Sequence, residues 1–115
     1  MLRKGMEEMA VDERAVGILE VFGLTTAFLA ADAGCKAADV TLENFDKNKP
    51  GDATGLPVPL LILVKFRGSI EAVTAAVEAA EEAANRISGV SSKRIIASFE
   101  ADAEPMLKLN CFDKN

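Results

Sequence analysis

The stretch Leu60–Ser88, LLILVKFRGSIEAVTAAVEAAEEAANRIS, decides the fold. It opens on an apolar run, Leu60–Arg67, with the length and composition of a buried strand. Lys65 and Arg67 alternate outward at the end of that run. Gly68 and Ser69 mark a turn, and Ser69 is placed to cap a helix. Ile70, Val73, Val77, Ala80, Ala84 and Ile87 then recur at spacings of 3, 4, 3, 4 and 3, which is one apolar stripe on a helix. Glu71 suits the positive helix start. Glu82 and Arg86 can pair one turn apart, and Gly89 offers a left-handed stop. The many alanines permit close approach to a sheet or to another helix.

Upstream, AVGILEVF (Ala15–Phe22) has strand character, with Val16 and Ile18 on one side and Leu19 and Val21 on the other. Gly23 ends it. In LTTAFLAADAGCKAA, the residues Leu24, Phe28, Ala31, Cys35 and Ala38 fall at spacings of 4, 3, 4 and 3, which predicts a helix buried along that stripe. Cys35 then reads as a packing residue, and Asp32 and Lys36 as a surface pair. DVTLENFD (Asp39–Asp46) reads as a second, more polar strand, and KRIIASF (Lys93–Phe99) as a fourth. Glu100–Glu104 reads as an acidic surface turn, with Met106, Leu107 and Leu109 forming a short docking turn.

The order strand, helix, strand, strand, helix, strand predicts an α+β fold. This is the ferredoxin-like βαββαβ arrangement, a four-stranded antiparallel sheet with both helices on one face. The domain spans 15–110, between an N-terminal extension (1–14) and a C-terminal tail (111–115). One link is anomalous. A hairpin loop of a few residues normally joins the middle strands, but here an insertion of about residues 47–59 carries PGDATGLPVP, Pro50–Pro59. Pro50, Pro57 and Pro59 stiffen this loop, and Gly51 and Gly55 permit turns. Its tip of Asp52, Ala53 and Thr54 suits a rim around an opening better than a flexible lid.

Composition excludes several classes. The formal charge is −5, against a nucleic-acid partner or an anionic membrane surface. No run approaches the roughly 20 apolar residues of a membrane span, and the start lacks the apolar core of a signal peptide. The chain therefore reads as cytoplasmic. It has no His, hence no base to activate a Ser or Cys. The two cysteines, Cys35 and Cys111, lie in no CxxC context and read as free thiols. The glycines of PGDATG are followed by a strand and by no Gly-Lys-Ser/Thr, against a phosphate cradle. No set of residues supports an enzyme.

AVGILEVFGLTTAFLAADAGCKAADV resembles the opening of bacterial microcompartment (BMC) shell proteins: a strand ending Glu-x-x-Gly, then a helix with Ala-Asp-Ala and Lys-x-Ala. VKFRGSIEAVTAAVEAAEEAANRI resembles the family's second half, and the match spans about residues 15–99 in unpermuted order. The resemblance implies a cyclic homo-hexamer that tiles with other shell proteins, in the bacterial cytoplasm, around encapsulated enzymes. It implies that the middle loop lines a central pore for small polar metabolites, with Gly51, Asp52, Ala53, Thr54 and Gly55 as the pore turn. Lys36 matches the lysine at the hexamer edge. Where the family has a Pro-Arg-Pro-like segment, ASFEADAE supplies Ser98 and acids, which implies a second shell protein alongside. The proline-glycine loop resembles a branch found in glycyl-radical-enzyme compartments. Some members of that branch carry a loop cysteine able to hold an iron–sulfur cluster; Val58 stands there in this chain, so neither metal nor cofactor is expected. The alternative reading is an oligomeric ferredoxin-like protein that binds a small regulatory molecule.

Overall fold

A computed structural model of the chain describes residues 14–48, 60–100 and 103–108. The elements are β1 (Ala15–Phe22), α1 (Leu24–Ala37), β2 (Thr41–Asn48), β3 (Leu61–Gly68), α2 (Ile70–Asn85), β4 (Val90–Ile96) and a single turn of helix, α3 (Glu104–Leu107). The strands form one antiparallel sheet in the order β2-β3-β1-β4. This is the order and connectivity expected of the ferredoxin-like arrangement.

Strand alternation builds the core. On β1, Ala15, Leu19 and Val21 face the helices, as do Ile62, Val64 and Phe66 on β3, and all six are buried. From α2, Val73, Ala76, Val77, Ala80 and Ala84 close the same layer. The stripe read on α2 therefore holds, except that Ile87 lies past the helix end and is exposed. Ser69 caps α2 by accepting from the Ala72 amide at 3.1 Å. At the other end Gly89, at φ 103°, turns back and donates to the Ala84 carbonyl at 2.9 Å.

On α1 the buried positions are Thr26, Ala27, Ala30, Ala31 and Gly34, and this corrects the expected stripe. Phe28 and Cys35 are exposed, although the Phe28 ring meets Phe45 edge-on at 5.0 Å. Small side chains face inward because the helix lies hard against Phe66 and α2. A Cβ on Gly34 would sit 2.5 Å from Phe66 Cζ and 3.0 Å from the Ala76 carbonyl oxygen.

Candidate functional site

The pore turn expected from the sequence, Gly51–Gly55, lies outside the described residues, as do Val58, Cys111 and the segment 1–13. Its stem is described. The β2–β3 ladder runs without a break from Asn44↔Lys65 to Asn48↔Leu61, so Lys47 and Asn48 belong to the sheet and not to the loop. Beyond the ladder, the Gly23 amide donates to the Leu60 carbonyl at 2.9 Å. Gly23 makes this turn at φ 94°, where a side chain would be strained.

The same end of the sheet is pinned a second time. Ser88 Oγ donates to the Phe22 carbonyl at 2.6 Å, so the Thr26 hydroxyl must be the donor in its 2.6 Å contact with Ser88 Oγ. This chain ties β1, the first turn of α1 and the end of α2 together beside the stem. Leu60, at the mouth of the loop, is left 38% exposed.

Lys36 stands at the opposite end of α1, in its last turn, where a cation suits the helix dipole. At 1.5 Å per residue from Leu24, it lies about 18 Å along the axis from the stem. Its side chain is 76% exposed and pairs with Asp32 at 2.8 Å, the contact expected from the i, i+4 spacing. The hydrogen bond to Asp32, and then the Asp32 charge, raise the Lys36 pKa above 10.5. Cys35 beside it, though largely exposed, has its pKa pushed above 9.0, by partial desolvation of the thiol first and by Asp32 second. The stem of the loop and Lys36 thus stand at opposite ends of one helix.

A third group was not legible in the sequence. On the sheet face away from α1 and α2, Lys65 and Arg67 are only 4% and 5% exposed. Both alternate away from the helices as expected, but they are buried, with α3 among the segments packed against them. Arg67 Nη2 donates to both carboxylate oxygens of Glu104 at 2.7 and 2.8 Å, and Arg67 Nε donates to Glu43 Oε2 at 3.0 Å. Lys65 Nζ and Asn44 Nδ2 both donate to the Leu107 carbonyl, at 3.1 and 3.0 Å. Lys65 also lies 3.8 Å from Asp46, and Lys108 donates to Glu43. Glu104 therefore belongs to a charge network and not to an exposed acidic turn.

Among the described residues no group of three or more His, Cys, Asp or Glu is arranged to hold a metal ion. No helix among them is long and apolar enough to cross a membrane.

Comparison with known proteins places this geometry. A family model described as the BMC domain matches residues 15–99. The chain is 34% identical over 97 residues to the bacterial microcompartment shell protein PduA of Citrobacter freundii, covering 84% of this chain and 95% of that one. It is 38% identical over 97 residues to the carboxysome shell protein CcmK2 of a Synechocystis strain, covering 83% and 85% of the two chains. In three dimensions it is similar to a microcompartments protein from Desulfitobacterium hafniense, with a TM-score of 0.61 at 23% identity. That match covers 82% of this chain and 46% of the other, and it speaks to the fold.

Proposed function

The chain belongs to the BMC domain family, whose relatives compared above are shell proteins and not enzymes, and on that premise we propose that it forms a cyclic homo-hexamer in the shell of a bacterial microcompartment. In this reading the loop after β2 surrounds a central pore, and Lys36 lies at the outer edge, where hexamers meet other shell proteins. The observation that carries it is the separation of the two regions: a stem fixed by the Asn48↔Leu61 pair and the Gly23–Leu60 hydrogen bond at one end of α1, and an exposed lysine about 18 Å away at the other. A ring needs such a subunit, with one end at the axis and the other at the rim. Exposed Phe28, Leu29 and Leu60 give it apolar surface to bury against neighbouring copies.

Around the axis, six Asp52 carboxylates would repel anions and favour polar neutral or cationic metabolites. The proline-glycine character of Pro50–Pro59 supports assignment to the glycyl-radical-enzyme branch. The loop supplies no thiolate, which supports a pore without a cluster.

Solution mass tests the reading: light scattering on the purified chain is expected to give six times the 12.2 kDa subunit mass. A persistent monomer refutes it, and a small trimer stabilised by a metabolite would favour the regulatory alternative. Lys36→Ala is expected to keep the ring mass while abolishing assembly into sheets with a partner shell protein.

A further inference from the structure

We propose that copies of the chain join by setting the outer flank of α1 on one copy into the groove between α2 and β4 of the next, with Asp32 meeting Arg94. The inference deepens the ring reading above and rests on it: it names the two surfaces that close the ring.

Strand direction fixes which sides can meet. The end of the sheet that carries the stem holds the Asn48↔Leu61 pair, Phe22 at the end of β1 and Val90 at the start of β4. With the stem at the axis, the four strands radiate from it. The order β2-β3-β1-β4 then makes β2 and β4 the two lateral edges. A closed ring joins one surface to a different one, so the β2 side of each copy meets the β4 side of the next. α1 flanks β2, where Phe28 meets Phe45, and α2 flanks β4, where Lys93 Nζ donates to Glu81 at 2.7 Å.

The two sides match in what they expose. On α1, Phe28, Asp32 and Cys35 stand at i, i+4 and i+7, which is one stripe, and all three are exposed. Phe28 and Cys35 belong to the stripe that the sequence patterns for burial and the fold leaves outside; a neighbouring copy supplies that burial. On the other side is a groove of about 340 Å3 lined by Thr74, Val77, Glu78, Lys93, Arg94 and Ile95. Arg94 and Glu78 are exposed and form no ion pair among the described residues.

Rotation about an axis preserves distance from it, so partners must lie equally far out. Asp32 is about 12 Å from Leu24 along α1, and Arg94 is about 13 Å from Val90 along β4. Cys35 from Leu24, and Thr74 from Asn85 at the stem end of α2, are both about 16.5 Å out. Acid thus meets base at one radius, and the thiol meets the groove at the next. Asp32 would lie between its own Lys36 and the neighbour's Arg94.

Cross-linking of the assembled chain in a Cys111→Ser background tests this. With Thr74→Cys added to the native Cys35, a short bis-maleimide is expected to give a ladder on denaturing gels that ends at six subunits. Either cysteine alone is expected to give no ladder beyond dimers. Asp32→Arg and Arg94→Asp are each expected to raise, by about tenfold or more, the concentration below which the six-fold mass is lost, and the double variant to restore it. A six-fold mass with no ladder from Cys35 and Thr74→Cys together, or a double variant no better than the singles, overturns the contact and leaves the ring standing. A chain that never exceeds 12.2 kDa removes the ring and the contact with it.

Discussion

Gly34→Ala sets two opposed effects against each other, and the structure decides between them. Alanine inside a helix is favoured over glycine by about 0.8–1.0 kcal/mol. The added Cβ would lie 2.5 Å from Phe66 Cζ, 2.8 Å from Phe66 Cε1 and 3.0 Å from the Ala76 carbonyl oxygen. Phe66 is fully buried, so its ring has no room to retreat, and the oxygen belongs to the backbone of α2. Overpacking of this kind costs roughly 1–3 kcal/mol; three close contacts argue for the upper half of that range. The net expectation is a destabilisation of about 1–2 kcal/mol, or roughly 4–10 °C in Tm for a domain of this size. Because association makes Tm depend on concentration, variant and parent must be melted at the same series of concentrations. Phe66→Leu shortens the offending ring, so the double variant should lose less stability than the two single variants together, with a coupling of about 1 kcal/mol or more. An unchanged or raised Tm for Gly34→Ala, or strict additivity with Phe66→Leu, would refute the argument that Gly34 sets the spacing of the helices.

Thr26→Val removes the outer member of the chain Thr26–Ser88–Phe22 and is expected to cost about 0.5–1.5 kcal/mol in urea unfolding. Ser88→Ala should cost more, because it leaves both the Thr26 hydroxyl and the Phe22 carbonyl without that partner. Glu82→Gln breaks only the exposed pair with Arg86 and is expected to change stability by less than about 0.5 kcal/mol. In a Cys111→Ser background, iodoacetamide is expected to alkylate Cys35 with a midpoint above pH 9.0, and Asp32→Asn should lower that midpoint without reaching 9.0, because burial is the larger cause. The folded chain holds this proton more tightly than the unfolded one, so the associated stability is present below pH 9.0 and is lost as pH rises through the raised value. A midpoint at or below 9.0 sinks that account.

How much of the fold was legible depended on how far burial imprinted the sequence. β1 is flanked by strands on both sides and covered by helices, and its ends were readable to the residue. The edge strands were not. β4 begins at Val90, three residues before the expected Lys93: Val90 packs against the core, but Ser91 and Ser92 after it are polar and exposed and carry no alternation. β2 begins at Thr41 and runs to Asn48, against the expected Asp39–Asp46. On α1 the inward face was misjudged because size stood in for burial: Phe28 and Cys35 looked like core, but the inward positions are the small residues Thr26, Ala27, Ala30, Ala31 and Gly34, with Gly34 hard against Phe66 and α2.

The candidate site divides along the same line. Asp32–Lys36 and Glu82–Arg86 were readable because a helix converts sequence spacing directly into distance. The network under α3 joins Glu43, Lys65, Arg67, Glu104 and Lys108 across two strands and a terminal segment, and such contacts follow strand register instead. Strict alternation would send Glu43 and Asn44 to opposite faces. The ladder shifts between Leu42 and Asn44, and both side chains reach the outer face, Glu43 to Arg67 and Asn44 to the Leu107 carbonyl. A bulge is a one-residue irregularity with no strong residue signature in so polar a strand, yet here it brings a second carboxylate, that of Glu43, to Arg67 beside that of Glu104. The guanidinium thus joins two distant parts of the chain: Glu43 is held by the strand it belongs to, and Glu104 by the helical turn of α3.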